Sequence, residues 1–350
     1  MSAGGAPVVA VDVPSGIDGL TGGASGPAVR AAHTVCFAAL KPGLVFEPGR
    51  HHAGEVEVVD IGVDPGTPNM GVTESDDVRV WLPARDPSTH KWAVGGVYVV
   101  GGSGGMTGAP SFVSHAALRA GAGIVWCGLP GQDTAARASG TEVITRPLPA
   151  TDSGALTADA AAVVLENIER FRALAVGPGL GTEPATQDAV RRLTADAPVP
   201  LVLDADGLNA LHGELAPLQR RSAPAVITPH EGEYARLAGA RVGADRIESA
   251  RDLAHRSGAV VLLKGSATVV AAPDGRVAVN TTGGPWLATA GTGDVLTGIV
   301  AAFLARGVAA FEAAAAGAFV HGRAADVAGH TGLLAGDLVP ALRSVAELKV

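Results

Sequence analysis

Apolar residues along this chain fall in short compact runs separated by stretches rich in Ala, Gly and Pro. "PVVAVDV" (7–13), "HTVCFAAL" (33–40) and "GEVEVVDIGV" (54–63) read as strands. Residues 64–91 are polar, carry Pro and Gly and show little periodicity, which predicts a linker or domain boundary. Beyond them the pattern restarts with "GGVYVVGG" (95–102), "GIVWCGLP" (123–130), "ALAVGPG" (173–179), "PLVLDAD" (200–206), "PAVITPH" (224–230) and "AVVLLKG" (259–265). These runs are apolar on both faces and several end in Gly, Pro, Asp or His, as parallel strands buried on both sides do. "SFVSHAALRAGAG" (111–123) and "DAVRRLTADAP" (188–198) have helical spacing. "ATVVAAPDGRVAVN" (267–280) predicts two antiparallel strands around a Pro-Asp-Gly turn. The sum is an α/β layer fold with a mostly parallel sheet, whose ligands are expected at the carboxyl ends of the strands.

Composition narrows the partners. The 350 residues are 47% hydrophobic and 17% charged, which suits a packed globular chain. A formal net charge of −8 argues against nucleic acid or an anionic membrane as partner. It leaves room for a small anion held by local N–H groups. Cys36 and Cys127 each lie in an apolar run and are expected as buried thiols. No apolar stretch is long enough to span a bilayer, and the N-terminus lacks the basic region of a signal peptide, so a cytoplasmic protein is expected.

The strand tips hold the candidate chemistry. In "LATAGTGDVLTG" (287–298) three glycines and three threonines surround one acid, Asp294. The apolar residues that follow, Val295, Leu296, Ile299, Val300, Phe303 and Leu304, predict one face of an amphipathic helix that stops near Gly307. The Gly-rich segment then sits at a helix start, where backbone N–H groups and the helix dipole favour an anion. The same field is expected to favour ionised Asp294, the form a base needs. Asp294 as a plain helix cap is the competing reading. Asn280, Thr281, Thr282, Gly283 and Gly284, just upstream, supply more Gly and Thr than one cap requires. "VGPGLG" (176–181), Asp204 and Asp206 in "LVLDADGLNAL", His230, Glu231 and Glu233 in "ITPHEGE", and Lys264 with Gly265, Ser266 and Thr268 in "LLKGSATVV" complete a set that converges on one sheet edge. Asp204 and Asp206 either cap the next helix or help hold a magnesium–phosphate unit.

Taken in order, "GGVYVVGGSGGMTGAPSFVSHAALRAGAGIV", "AVGPGLG", "LVLDADGLNAL", "ITPHEGE", "LLKGSATVV" and "GGPWLATAGTGDVLTGIVAAFLARG" resemble the ADP- or ATP-dependent NAD(P)H-hydrate dehydratases across residues 76–345. The resemblance implies a ribokinase-like three-layer sandwich. "VVAVDVPSGIDGLTG", "TVCFAALKPGL" and "GEVEVVDIGV" are similar to the C-terminal part of the Rossmann-like NAD(P)H-hydrate epimerase domain. The implied division is an epimerase fragment at 1–66, a linker at 67–75 and a dehydratase domain at 76–345. The epimerase family's "NNGGDG" motif is absent from the sequence. Asp12 matches a substrate-contacting aspartate and Ser15 a potassium-contacting position, so potassium is expected only with an intact epimerase site. Epimerase activity is expected to be absent.

The dehydratase resemblance implies that hydrated NADH or NADPH is phosphorylated on its C6 hydroxyl by ADP or ATP, with magnesium, and then loses phosphate. By position, Ala109, Gly179, His230 and Asp294 match substrate contacts. Lys264, Gly265, Ser266, Ala267, Thr268 and Gly293 match nucleotide contacts. Asp294 matches the base, and the N–H groups of Gly291, Thr292 and Gly293 are expected to form the anion hole. No magnesium ligands are assigned. Trp286 departs from the family's usual glycine stretch, as packing or as a stacking ring. The resemblance allows a homo-oligomer. A ribokinase-like small-molecule kinase and a catalytically silent nucleotide-binding protein stay open as alternatives.

Overall fold

The computed structural model describes residues 6–64, 66, 68–84, 87–132 and 142–347. Its contacts divide the chain into two compact units, 1–71 with 242–249, and 72–241 with 250–350.

The first unit holds a three-stranded parallel sheet of β1 (Val9–Val11), β2 (His33–Phe37) and β3 (Glu55–Val59) in that order. Cys36, Leu44 and Ala53 are its buried apolar centre.

The second unit is built on a ten-stranded sheet. Its strands are β4 (Met70–Val72), β5 (Gly96–Val100), β6 (Ile124–Pro130), β7 (Ile144–Leu148), β8 (Ala173–Val176), β9 (Leu201–Leu203), β10 (Ala225–Ile227), β11 (Val260–Leu263), β12 (Thr268–Ala271) and β13 (Val277–Asn280). They lie in the order β4-β13-β12-β11-β10-β9-β8-β5-β6-β7. From β11 to β7 every pairing is parallel. The hairpin β12–β13 is antiparallel, and β12 also pairs antiparallel with β11. The six apolar runs expected as parallel strands all take that role, and each of the resulting strands is buried along its whole length.

Helices cover both faces. One group comprises α2 (Gly108–Arg119), α6 (Thr292–Ala305), α7 (Ala310–Ala328) and α8 (Ala335–Glu347), which pack on one another. The other includes α3 (Pro184–Asp196), α4 (Asp206–Leu211) and α5 (Glu231–Ala238). This is the expected three-layer α/β sandwich. No helix among the described residues is long and apolar enough to cross a membrane.

Three expectations change. Residues 64–91, read as a linker or domain boundary, contain the division between the units at 71/72 but also hold β4 and the helix α1 (Ser75–Trp81). That helix starts at a capping box between Glu74 and Asp77, a local signal independent of apolar period. The strand β7 was missed because Pro147 interrupts it; as the last strand of the sheet it can leave one backbone side unpaired. Finally, α6 is not one-faced. Every residue from Val295 to Ala305 is buried. Its second face is made of Thr297, Gly298, Ala301, Ala302 and Ala305, small enough to admit a neighbouring backbone. A Cβ on Gly298 would overlap the Val113 carbonyl oxygen of α2.

Gly298→Val should therefore force α2 and α6 apart and lower unfolding free energy by about 1–3 kcal/mol or more, read by urea denaturation. An unchanged midpoint would show that the close approach is dispensable.

Candidate active site

The parallel strands end together, so their C-terminal tips share one edge of the sheet. Asp204 follows β9, His230 lies three residues after β10, and Lys264 follows β11. Asp204 is only 2% exposed. Lys264 Nζ donates to its Oδ1 at 2.9 Å, and Thr297 Oγ1 of α6 donates to its Oδ2 at 2.7 Å. Burial alone would raise the Asp204 pKa, but the Lys264 ammonium and the hydroxyls of Thr297 and Thr228 outweigh it and hold the carboxyl below its ordinary range. Lys264 also faces Glu233 Oε2 at 3.8 Å. Burial disfavours its charge, yet Asp204 and Glu233 prevail and raise its pKa. The pair is thus ionised on both sides. It carries a fixed positive charge to the start of α6, where a Cβ on Gly293 would stand 3.6 Å from Lys264 Nζ.

Helix α6 begins at Gly291, whose φ of 89° lies in the left-handed region and leaves no side-chain cap. The first N–H groups of the helix have no intrahelical acceptor. Thr292 instead anchors the turn through its hydroxyl, which reaches Leu287 O at 2.8 Å and Thr289 O at 2.9 Å. Asp294 sits in the first turn but does not cap it. Burial, with Asp204 and Asp206 as like charges, raises its pKa to about 7 against the pull of Lys264. This reverses the expectation that the helix field would favour the ionised form. Desolvation and two neighbouring carboxylates exceed the helix dipole here.

The other expected contacts gather on the same edge. Gly179 stands against Ala109, so close that a Cβ on it would lie 3.4 Å from that residue's Cβ. Its carbonyl accepts from Ser103 Oγ at 2.9 Å. Phe112, one turn beyond Ala109 on α2, covers Gly291, whose Cβ would lie 3.1 Å from the ring. His230 caps α5 by accepting from Gly232 N at 3.0 Å and Glu233 N at 3.3 Å through Nδ1, and its Nε2 lies 3.4 Å from Glu233 Oε1. Lys264 to Thr268 form the turn from β11 into β12, with Gly265 and Ser266 exposed and Ala267 buried. Asp206 accepts from Gly181 N at 2.9 Å and from Asn209 at 3.2 Å. Trp286 stacks on His330 at 3.6 Å, which accounts for it as a packing ring.

Asp12 and Ser15 belong to the first unit. Asp12 Oδ1 accepts from Lys41 Nζ at 2.6 Å and from Phe37 N at 3.0 Å, which lowers its pKa, and Ser15 is exposed.

Thr297 and Phe112 were not singled out from the sequence. Thr297 was findable, because a hydroxyl in a wholly apolar helix must find a partner. Among the described residues no group of three or more His, Cys, Asp or Glu side chains is arranged to hold a metal. Of the two acids considered for magnesium, Asp204 has both oxygens engaged, and Asp206 accepts from Gly181 N and Asn209 Nδ2.

A parallel sheet with a Gly-rich helix start, an acid and a lysine at its carboxyl edge places this unit among the ribokinase-like α/β proteins. A ribokinase-like superfamily protein of Enterococcus faecalis shares this fold with a TM-score of 0.66 at 22% identity, over 82% of this chain and 99% of that one. Residues 97–344 match the family described as NAD(P)H-hydrate dehydratase, and the chain belongs to it. The ADP/ATP-dependent NAD(P)H-hydrate dehydratase of Bacillus subtilis, co-crystallised with ATP and Mg2+, superposes with a TM-score of 0.70 at 31% identity, covering 81% of this chain and 100% of that one. Residues 1–43 match a family described as YjeF-related protein N-terminus. The bifunctional NAD(P)H-hydrate repair enzyme Nnr of Moorella thermoacetica is 45% identical over 344 residues, 95% of this chain and 65% of that protein. The chain thus spans about two thirds of the length of that curated relative.

The raised pKa of Asp294 carries a cost in stability. The folded protein keeps this proton to higher pH than the unfolded chain does. Stability is therefore lost as pH climbs from the ordinary carboxylate range to about 7. Asp294→Asn should melt several degrees above the wild type near pH 8, with the gap closing toward about pH 4. Equal melting temperatures near pH 8 would contradict the assigned shift.

Proposed function

We propose that the second unit repairs hydrated NADH and NADPH, using ADP or ATP as phosphoryl donor. The observation that carries this reading is Asp294, with a pKa near neutrality, beside the ion-paired Lys264 at a Gly-rich helix start that no side chain caps. Family membership supplies the substrate class.

The steps follow from charge and geometry. The N–H groups of Gly291, Thr292 and Gly293 and the Lys264 ammonium stabilise negative charge on the transferring phosphoryl oxygens. The C6 hydroxyl oxygen of the hydrate attacks phosphorus, the bond to the nucleotide's leaving oxygen breaks, and the hydroxyl proton passes to Asp294. A carboxylate of pKa about 7 is a stronger base than an ordinary one and is still half ionised at neutral pH. The C6–O bond then breaks with its electron pair leaving on phosphate. The ring nitrogen supplies electrons to C6, and loss of the C5 proton restores the double bond of the dihydronicotinamide. Ala109, Gly179 and His230 hold the dinucleotide, and Lys264 to Thr268 with Gly293 hold the nucleotide. The chemistry calls for magnesium. Since the described residues offer no ligand set for it, no step is assigned to a protein-held ion.

The test is recovery of the reduced-nicotinamide absorbance from hydrate with ADP and, separately, with ATP. Wild type should restore it with one-for-one nucleotide consumption. Its kcat should rise through about pH 7 as Asp294 ionises. Asp294→Asn should cut kcat by about 10²–10⁴ with little change in KM. Nucleotide consumed without recovery of absorbance would favour a kinase that releases a phosphorylated product. Binding with no turnover in the wild type would favour a silent nucleotide-binding protein.

A further inference from the structure

We propose that Thr297 of α6 is a positioning residue of the reaction: its hydroxyl seats the Asp204 carboxylate, and through it the Lys264 ammonium, against the first turn of α6. The proposal rests on the dehydratase reading for its catalytic meaning, but the tie itself is read from contacts.

The backbone of Asp204 has little freedom. Its N–H donates to Val176 O of β8 at 3.1 Å, and its carbonyl accepts from Gly207 N of α4 at 2.9 Å. What stays open is the rotation of the carboxylate, and two donors set it. Lys264 Nζ holds Oδ1 at 2.9 Å, and Thr297 Oγ1 holds Oδ2 at 2.7 Å. An ammonium is a compact point charge that can follow either oxygen, so Lys264 alone does not fix the carboxylate. Thr297 removes that choice by reserving Oδ2.

The sequence of α6 fits this task. Thr297 lies four residues after Gly293, so the two share a face one turn apart. Both members of the ion pair meet that face: a Cβ on Gly293 would stand 3.6 Å from Lys264 Nζ and 4.0 Å from Asp204 Oδ2. Thr297 is fully buried among Val295, Leu296, Ile299 and Val300 of the same helix. A threonine in such a setting commonly turns its hydroxyl to the carbonyl four residues back. Here the hydroxyl donates to a carboxylate on another element. The next residue, Gly298, brings α6 up to the Val113 carbonyl of α2. Gly298 thus places α6 against α2, Thr297 places it against the end of β9, and Asp294, one turn before Thr297, is carried with them.

The same hydroxyl bears on the proton balance of the site. Asp204 and Asp206 are the like charges that act on Asp294, Lys264 is its cation, and Glu233 faces Lys264. A donated hydrogen bond favours the charged form of a carboxylate. Removing it leaves Asp204 Oδ2 bare in a dry interior and raises the proton affinity of the two coupled carboxylates, Asp204 and Asp294. Valine keeps nearly the shape of threonine and lacks the donor, so it separates the hydroxyl from the packing.

The experiment compares full-length wild type with Thr297→Val, Thr297→Ser and Thr297→Cys, each checked for folding by circular dichroism and melting. Thr297→Val should lower kcat roughly 10- to 100-fold while KM for the hydrate stays within about threefold. The pH at which kcat is half-maximal should rise by about half a pH unit or more. Thr297→Ser, which keeps the donor, should restore most of both. Independently of turnover, the Asp294 carboxyl titration, followed by carbon NMR in the unliganded protein, should move upward in Thr297→Val and return in Thr297→Ser. A purely structural role lowers the melting temperature and leaves both midpoints at their wild-type values, and that result would overturn the proposal. Wild-type kcat in Thr297→Val would overturn it too. If Thr297→Val fails to fold, Thr297→Cys, whose thiol is a weak donor, decides on the same two midpoints. If the wild type lacks hydrate repair, the functional reading fails, and the carboxyl titration still judges Thr297.

Discussion

The ion pair between Asp204 and Lys264 is the constraint on which the site depends. Two charges this close to a dry interior are tolerated only when each has a partner in good geometry. Here Asp204 receives Lys264 on one oxygen and Thr297 on the other, and Lys264 adds Glu233. The pair fixes where positive charge stands for an incoming phosphate. Its acid, held ionised, also helps push the Asp294 carboxyl up toward neutrality. One interaction therefore sets both the electrophilic side and the basic side of the reaction.

The fold serves this arrangement through small side chains. Parallel strands bring Asp204 and Lys264 to one edge from residues 60 apart in sequence. The acid on α6 reaches them because that helix is buried all round and approaches α2 at Gly298 with no side chain between. The abundance of Ala and Gly is thus a packing requirement. The stability lost in keeping Asp294 protonated to high pH is the kind of local strain that functional sites retain.

Much of this was legible in the sequence. The six apolar runs, the Pro-Asp-Gly hairpin and the helix after Asp294 stand where expected, because parallel strands buried on both faces leave an unmistakable apolar signature. Edge elements were not legible. The strand β7 carries Pro147 and polar neighbours, and α1 is marked by a capping box rather than by period. At the site, residue types announced themselves, but their ionisation did not. The dipole of α6 could be foreseen, whereas the burial of Asp294 and its nearness to Asp204 and Asp206 depend on tertiary packing. Thr282 and Trp286 likewise acquire meaning only once α7 and His330 beyond it are seen to lie against the loop that precedes Asp294.

The most direct measurement is the titration of the Asp294 carboxyl carbon by NMR in the unliganded wild type and in Asp204→Asn. The expected midpoint in the wild type is about 7. A clear fall is expected in Asp204→Asn, where a like charge is lost and Lys264 is left unopposed by it. A wild-type midpoint in the ordinary carboxylate range, or one that Asp204→Asn leaves unmoved, would contradict this.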